Sequence, residues 1–245
     1  MMTDTLRDFL NTHKPKSTHG VFNLVLAEIP TTPRIAVDLC CGDGGLTQQL
    51  RERGWQAYGL DLSDHFIGTR AADRNGFIVS DASQTPLRAG CADLVLCVDS
   101  LQYFADPQSA LQEMHRLLRP GGTLIFSTQN NSSPSGWKRW LMERLTGHTW
   151  SPWLAHPVEN HLTYGQLMRL LNETDFQIEQ VRGMQFLTAW VALLPSFVRH
   201  WQPFPNKPWR TLAGVAQRVS LPTFIEKSPL KRLAMMTFVK VKKPL

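Results

Sequence analysis

The sequence predicts an α/β fold, a doubly wound and mostly parallel seven-stranded sheet with an aromatic-rich lid formed by insertions. Three observations predict it. From residue 34 onward short apolar runs alternate with helix-like stretches, the spacing of βαβ crossovers. Glycines 42, 44 and 45 stand where the first such run gives way to the first helix. The second and third runs each end in an aspartate, Asp61 and Asp81, which puts acidic groups at the carboxyl ends of strands, where such sheets bind ligands.

The elements follow in order. Arg34 to Cys40 reads as a strand, and Leu46 to Arg53 as a helix stopped by Gly54 at its C′ position. Trp55 to Leu60 is the second strand, Ser63 to Arg74 a short helix, and Phe77 to Ser80 the third strand. Asp93 to Val98 is a near-continuous apolar run, as expected of a parallel strand buried on both faces. Asp106-Pro107 starts a helix whose stripe of Ala110, Leu111, Met114, Leu117 and Leu118 is stopped by Pro120-Gly121-Gly122, and Thr123 to Thr128 is strand five. Tyr164 to Glu173 reads as a helix, Phe176 to Val181 as a strand, and Met235 to Val241 as the final strand. Two stretches fit no such pattern, 130–161 and 183–231, and they hold seven of the eight tryptophans. They are read as one cover over the strand ends. The expected organisation is an N-terminal helical segment over 1–33, a ligand-binding core over 34–182 with a lid insertion at about 130–161, and a second lid insertion plus final strand over 183–245.

Composition narrows the class. With 245 residues, 42% hydrophobic, 19% charged and a mean hydropathy of −0.21, the chain is neither disordered nor a polytopic membrane protein. The net charge of +6 is uneven: residues 182–245 carry eleven Lys/Arg against Glu226 alone, +10, whereas residues 1–181 carry fifteen against nineteen acids, −4. Met1 to Lys16 has no continuous apolar stretch, so a cytoplasmic location is expected. Cys40, Cys41, Cys91 and Cys97 lack metal-ligand spacing and read as buried thiols, with no metal expected.

The glycine cluster lets a backbone approach a ligand closely. It is not the dinucleotide pattern G-x-G-x-x-G, because Thr47 occupies the last place. A carboxylate at Asp61 suits a pair of ribose hydroxyls, and one at Asp81 an adenine amino group.

On these residues the sequence resembles the class I S-adenosylmethionine-dependent methyltransferases, particularly their small-molecule and quinone branch. Val37-Asp-Leu-Cys-Cys-Gly-Asp-Gly-Gly45 looks like their first motif, Gly59-Leu-Asp-Leu62 like the acidic end of strand two, Ser80-Asp-Ala82 like the adenine turn, and Leu118-Arg-Pro-Gly-Gly122 like the turn before strand five. The resemblance covers about residues 20–182 and implies a Rossmann-like fold with S-adenosylmethionine as cofactor. It implies that Asp38 holds the loop and reaches the methionine amino group, that Gly42 and Gly44 pass under the cofactor, that Asp61 clamps the ribose, and that Leu62 flanks the adenine. Cys40, Asp81, Ala82 and Asp99 complete the cofactor set that the resemblance implies. Cys40 departs from the pattern, since the family usually has glycine there.

Asp99-Ser-Leu-Gln102 stands in place of the Asn/Asp-Pro-Pro-Tyr of enzymes that methylate amide or adenine nitrogens, which favours a different acceptor. An oxygen nucleophile benefits from a general base. His161 and, second, His156 are the candidates, and Tyr103, Gln129 and Asn130 are candidates for the pocket wall. The expected function is methyl transfer to a small lipophilic acceptor, most readily at oxygen, in biosynthesis of a quinone, glycolipid or secondary metabolite. An RNA methyltransferase and a non-catalytic cofactor-binding subunit are the alternatives, though no separate RNA-binding module is present and nucleic acid is disfavoured. The apolar run Met184 to Val198 and the aromatic and basic residues after it suggest peripheral contact with a membrane surface through 184–218.

Overall fold

A computed structural model describes residues 19–64, 67, 75–147, 160–186 and 228–245. Helix α1 (His19–Glu28) leads into β1 (Ile35–Leu39), α2 (Gly45–Glu52), β2 (Gln56–Asp61), β3 (Phe77–Val79) and β4 (Ala92–Cys97). A single 3-10 turn, Leu101–Tyr103, precedes α3 (Pro107–Leu117) and β5 (Leu118–Gln129). Then come α4 (Pro134–Thr146), α5 (Tyr164–Glu173), β6 (Gln177–Met184), a second 3-10 turn (Pro229–Leu233) and β7 (Met236–Lys242).

The seven strands form one sheet in the order β3-β2-β1-β4-β5-β7-β6. All pairings among β1 to β5 are parallel. Strand β7 is the exception and runs antiparallel to both β5 and β6. The strand order reverses between β1 and β4, and the crevice at their carboxyl ends is where an open α/β sheet accepts a ligand. The apolar runs of β1 and β4 are buried on both faces, as their composition predicts. Val37, Leu39, Val95 and Cys97 pack toward α3 and α5 with Leu111, Met114, Leu167 and Leu171. Ala36, Leu94 and Leu96 pack on the other face with Val25 of α1 and Leu46 and Leu50 of α2.

Local chemistry sets most helix ends. Asp106 caps α3 by accepting from the backbone of Gln108 and Ser109, with Pro107 at the first helical position. Thr163 and Gln166 form a reciprocal capping box at the start of α5. Gly54 has φ +85° just past α2.

Two expectations are corrected. Pro120-Gly121-Gly122 is not a turn before strand five: β5 begins at Leu118, directly after α3. The ladder with β4 slips between Ala92↔Leu118 and Leu94↔Thr123, absorbing the extra residues as an irregularity of the strand. The first insertion is not wholly irregular either, because α4 occupies its first half. Ser133 caps that helix and Gly147, at φ +70°, ends it. Strand β6 also continues three residues past Val181, held by its ladder to β7. The helix expected over 63–74 lies largely outside the described residues, as do Met1–Lys16, the tail over 187–227, and His156.

Candidate active site

The glycine loop is tied down from two sides. The Gly42 N–H donates to Asp61 Oδ2 at 2.8 Å, and the Ser63 N–H donates to Asp61 Oδ1 at 2.9 Å, so the aspartate at the end of β2 fixes the loop that leaves β1. Gly44 has φ +78°, and a Cβ on it would lie 2.6 Å from the ring of Phe77 on β3. No other residue fits there. Cys40 itself adopts φ +55°, a left-handed conformation that suits glycine better than a residue with a Cβ.

Three carboxylates surround this loop. Asp38, 2% exposed, accepts from the Thr47 hydroxyl at 2.6 Å. Burial, with repulsion from Asp61, pushes its pKa up to about 7 against the hydrogen bond from Thr47. Burial likewise raises Asp61, opposed by its backbone hydrogen bonds. Asp99, at φ +54°, donates its N–H to Ser127 Oγ at 2.9 Å and accepts at Oδ1 from Gln102 Nε2 at 3.0 Å. Burial raises it to about 6. Among the described residues none of the three pairs with a lysine or arginine. Buried acids without counter-charge, beside an opening, are chemically matched to a cationic ligand.

That opening, which meets the loop at Cys40 and Leu62 and is not lined by the three acids themselves, is a cavity of about 360 Å³, within the usual range for cofactor sites. Cys40, Leu62, Asp81, Ala82 and Tyr103 line it, five residues singled out from the sequence. Asp81 uses Oδ1 to accept from the Ser83 N–H and hydroxyl, at 2.8 and 2.6 Å, in a closed turn. Gln84, Phe104 and Asp106 are further lining residues that the sequence did not mark. S-adenosylmethionine carries an ammonium and a sulfonium on an adenosine frame, so both the acid cluster and the cavity fit it.

A second polar cluster sits over the ends of β4 and β5. Gln102, fully buried, accepts from the Thr128 hydroxyl at 3.1 Å and donates to Asp99. Gln129 Oε1 accepts from Arg139 Nη1 at 2.9 Å. His161 Nε2 lies 3.2 Å from Glu143 Oε2, while its Nδ1 is buried without a hydrogen-bond partner among the described residues. Burial and then the charge of Arg139 lower the His161 pKa, only partly offset by Glu143. Burial raises the Tyr103 phenol, with Asp99 adding to the effect. Asn130 does not share this cluster's chemistry: its Nδ2 donates to the Arg232 and Ala234 carbonyls, both at 2.9 Å, and its Oδ1 accepts from the Ser132 N–H. It joins the end of β5 to the approach of β7. Arg139 and Glu143 were not legible beforehand, because they belong to the helix that was not expected.

Comparison with known proteins agrees with this geometry. The family described as "Methyltransferase domain" matches residues 37–126. A ubiquinone biosynthesis O-methyltransferase of Methylococcus capsulatus is 34% identical over 128 residues, covering 48% of this chain and 54% of that one. A malonyl-[acyl-carrier protein] O-methyltransferase of Enterobacter lignolyticus is 35% identical over 96 residues, 38% of each. The chain spans between 54% and 65% of the first ubiquinone-pathway relatives it matches. A crystal structure of an S-adenosylmethionine dependent methyltransferase from Mesorhizobium loti shares the fold, with a TM-score of 0.61 at 19% identity, covering 91% of this chain and 97% of that one. With the motifs in their expected order on the expected strands, residues 37–126 form a methyltransferase domain on the fold of the S-adenosylmethionine-dependent methyltransferases.

Proposed function

We propose that the protein transfers a methyl group from S-adenosylmethionine to an oxygen of a small, lipophilic acceptor, in biosynthesis of a quinone, glycolipid or secondary metabolite. The observation that carries the reading is the set of three buried carboxylates without counter-charge around the glycine loop, beside a cavity of about 360 Å³. The relatives' names, both O-methyltransferases, support oxygen as the acceptor atom.

When bound, S-adenosylmethionine supplies an activated methyl: the acceptor oxygen's electron pair forms the new C–O bond and the C–S pair remains on sulfur. The chain's residues position and deprotonate. Asp38 would hold the amino group, the remaining lone pairs of Asp61 the ribose hydroxyls, and Asp81 and Leu62 the adenine. Glu143 holds the His161 Nε2–H, which leaves Nδ1 as the basic nitrogen. Burial, and then the charge of nearby Arg139, keep the ring neutral at neutral pH, ready to take the acceptor's hydroxyl proton and pass it to solvent. Tyr103 and Gln129 wall the acceptor side.

The test is incubation with labelled S-adenosylmethionine and a lipophilic metabolite extract, read by mass spectrometry. A species that gains one labelled methyl with wild type, and does so much more slowly with His161→Gln at unchanged cofactor affinity, is the expected outcome. No labelled product from any fraction contradicts transfer, and full turnover by the variant contradicts the base.

A peripheral membrane encounter is part of this reading. Trp137, Trp140, Leu141 and Leu145 are exposed along α4, an apolar stripe beside the cations Lys138 and Arg144. None of the described helices is long and apolar enough to cross a membrane.

A further inference from the structure

Helix α4 presents an inverted pattern: its large apolar side chains face outward, and one of its two arginines, Arg139, faces in. Arg139 is 7% exposed. Its Nη1 is engaged by Gln129, but its Nε is buried with no hydrogen-bond partner among the described residues. No carboxylate among those residues stands within ion-pairing distance of it, since Glu143, one turn on, is directed to His161. A guanidinium removed from water with no directly paired anion, only the charge of nearby Glu143 offsetting part of the cost of burial, is an arrangement a fold does not favour for its own stability. Gln129, a neutral partner, satisfies one N–H and none of the charge.

The other orphan of this region is His161 Nδ1. The two belong to one neighbourhood, because the charge of Arg139 acts on both His161 and the cavity-lining Tyr103. One unused guanidinium N–H and one unused imidazole nitrogen therefore share one neighbourhood, beside the cavity-lining Tyr103. An anionic oxygen answers the first, and a hydroxyl hydrogen answers the second. The planar guanidinium edge matches a carboxylate better than a single carbonyl.

We infer that the acceptor is a hydroxy acid whose carboxylate docks on Arg139 while the hydroxyl to be methylated faces His161 Nδ1. This rests on the methyltransferase reading above. It also assigns Arg139 a specificity role: an acid is selected over its neutral analogues because only the acid neutralises the buried charge.

The test titrates protein loaded with S-adenosylhomocysteine against a set of hydroxybenzoic acids and their primary amides, matched in shape and differing in charge. At least one acid binds roughly tenfold or more tightly than its amide. Arg139→Gln abolishes that preference without changing affinity for S-adenosylhomocysteine, and Arg139→Lys, which keeps a charge but not the planar edge, retains part of it. Equal binding of acid and amide to wild type, failure of every acid to bind, or an unchanged preference in Arg139→Gln overturns the assignment. If Arg139→Gln does not fold, the wild-type comparison and Arg139→Lys decide. If S-adenosylhomocysteine itself fails to bind, the methyltransferase reading falls, and the acid-to-amide ratio on unloaded protein still decides the Arg139 site.

Discussion

At the scale of single residues, Asp38 has the most consequential chemistry. Its carboxyl titrates near 7 because burial and Asp61 both oppose its charge. An unfolded aspartate ionises near 3.8, so the free fold loses stability as pH rises from about 4 toward 7, where only the unfolded chain gives up the proton. A ligand ammonium reverses the preference. Binding it requires the carboxylate, so cofactor affinity rises as pH passes upward through about 7 and levels off above, with proton release on binding below that point. Calorimetry between pH 6 and 8, in two buffers of different ionisation enthalpy, checks this. Affinity that stays flat across the window, or a dependence that survives in Asp38→Asn, contradicts the assigned role. Cys40 shows what the sequence could and could not say at this scale. The departure from glycine was visible, but that the position is left-handed is a property of the backbone that no residue name carries.

At the scale of elements, Glu113 links α3 to the loop between β3 and β4. It accepts from the Thr85 N–H at 2.8 Å and hydroxyl at 2.6 Å, and from Arg116 Nε at 2.6 Å. Burial raises its pKa, but the hydrogen bonds from Arg116 and Thr85 outweigh that and hold it below the usual value of 4.5. Its contribution is thus present above pH 4.5 and lost as pH falls through the depressed value. Glu113→Ala leaves a buried N–H unpaired and costs about 2 kcal/mol or more at neutral pH. Urea unfolding at pH 7 and pH 3 measures the difference, which shrinks at the lower pH; an equal loss at both contradicts the account. Element boundaries near such local signals were legible: the Asp106-Pro107 start and the helix expected over Tyr164 to Glu173 gave α3 and α5 their observed first residues, the second at a capping box that only the structure shows. Two others were not. Pro120-Gly121-Gly122 reads locally as a stop, but Leu118 bridges to Ala92 ahead of it and the ladders with β4 and β7 run from Thr123, so it lies inside β5 as an irregularity. Helix α4 buries Arg139 and exposes Trp137, Trp140, Leu141 and Leu145, so its apolar residues do not mark the face that packs.

At the scale of the molecule, the doubly wound sheet was legible because fully apolar parallel strands and crossover spacing are written along the chain. The antiparallel β7 between β5 and β6 depends on pairing across long separations and was not. The acceptor side shares that limit, since its residues meet only through α4. The exposed stripe of α4, with the basic tail, predicts salt-sensitive sedimentation with anionic but not neutral vesicles, at roughly 1 kcal/mol per Lys or Arg near the surface. Trp140→Ala weakens it, and protein that stays in the supernatant at low salt removes the membrane from the account.

The central claim is that the glycine loop and its three carboxylates form an S-adenosylmethionine site, and calorimetric titration with S-adenosylmethionine and S-adenosylhomocysteine tests it most directly. The account predicts saturable binding of both. Because Asp61 holds Gly42 and is the residue proposed for the ribose hydroxyls, Asp61→Ala is expected to lose charge-assisted hydrogen bonds worth about 1.5–3 kcal/mol each, a fall of tenfold or more in affinity. No heat with either ligand, together with binding of a nicotinamide dinucleotide, would contradict it.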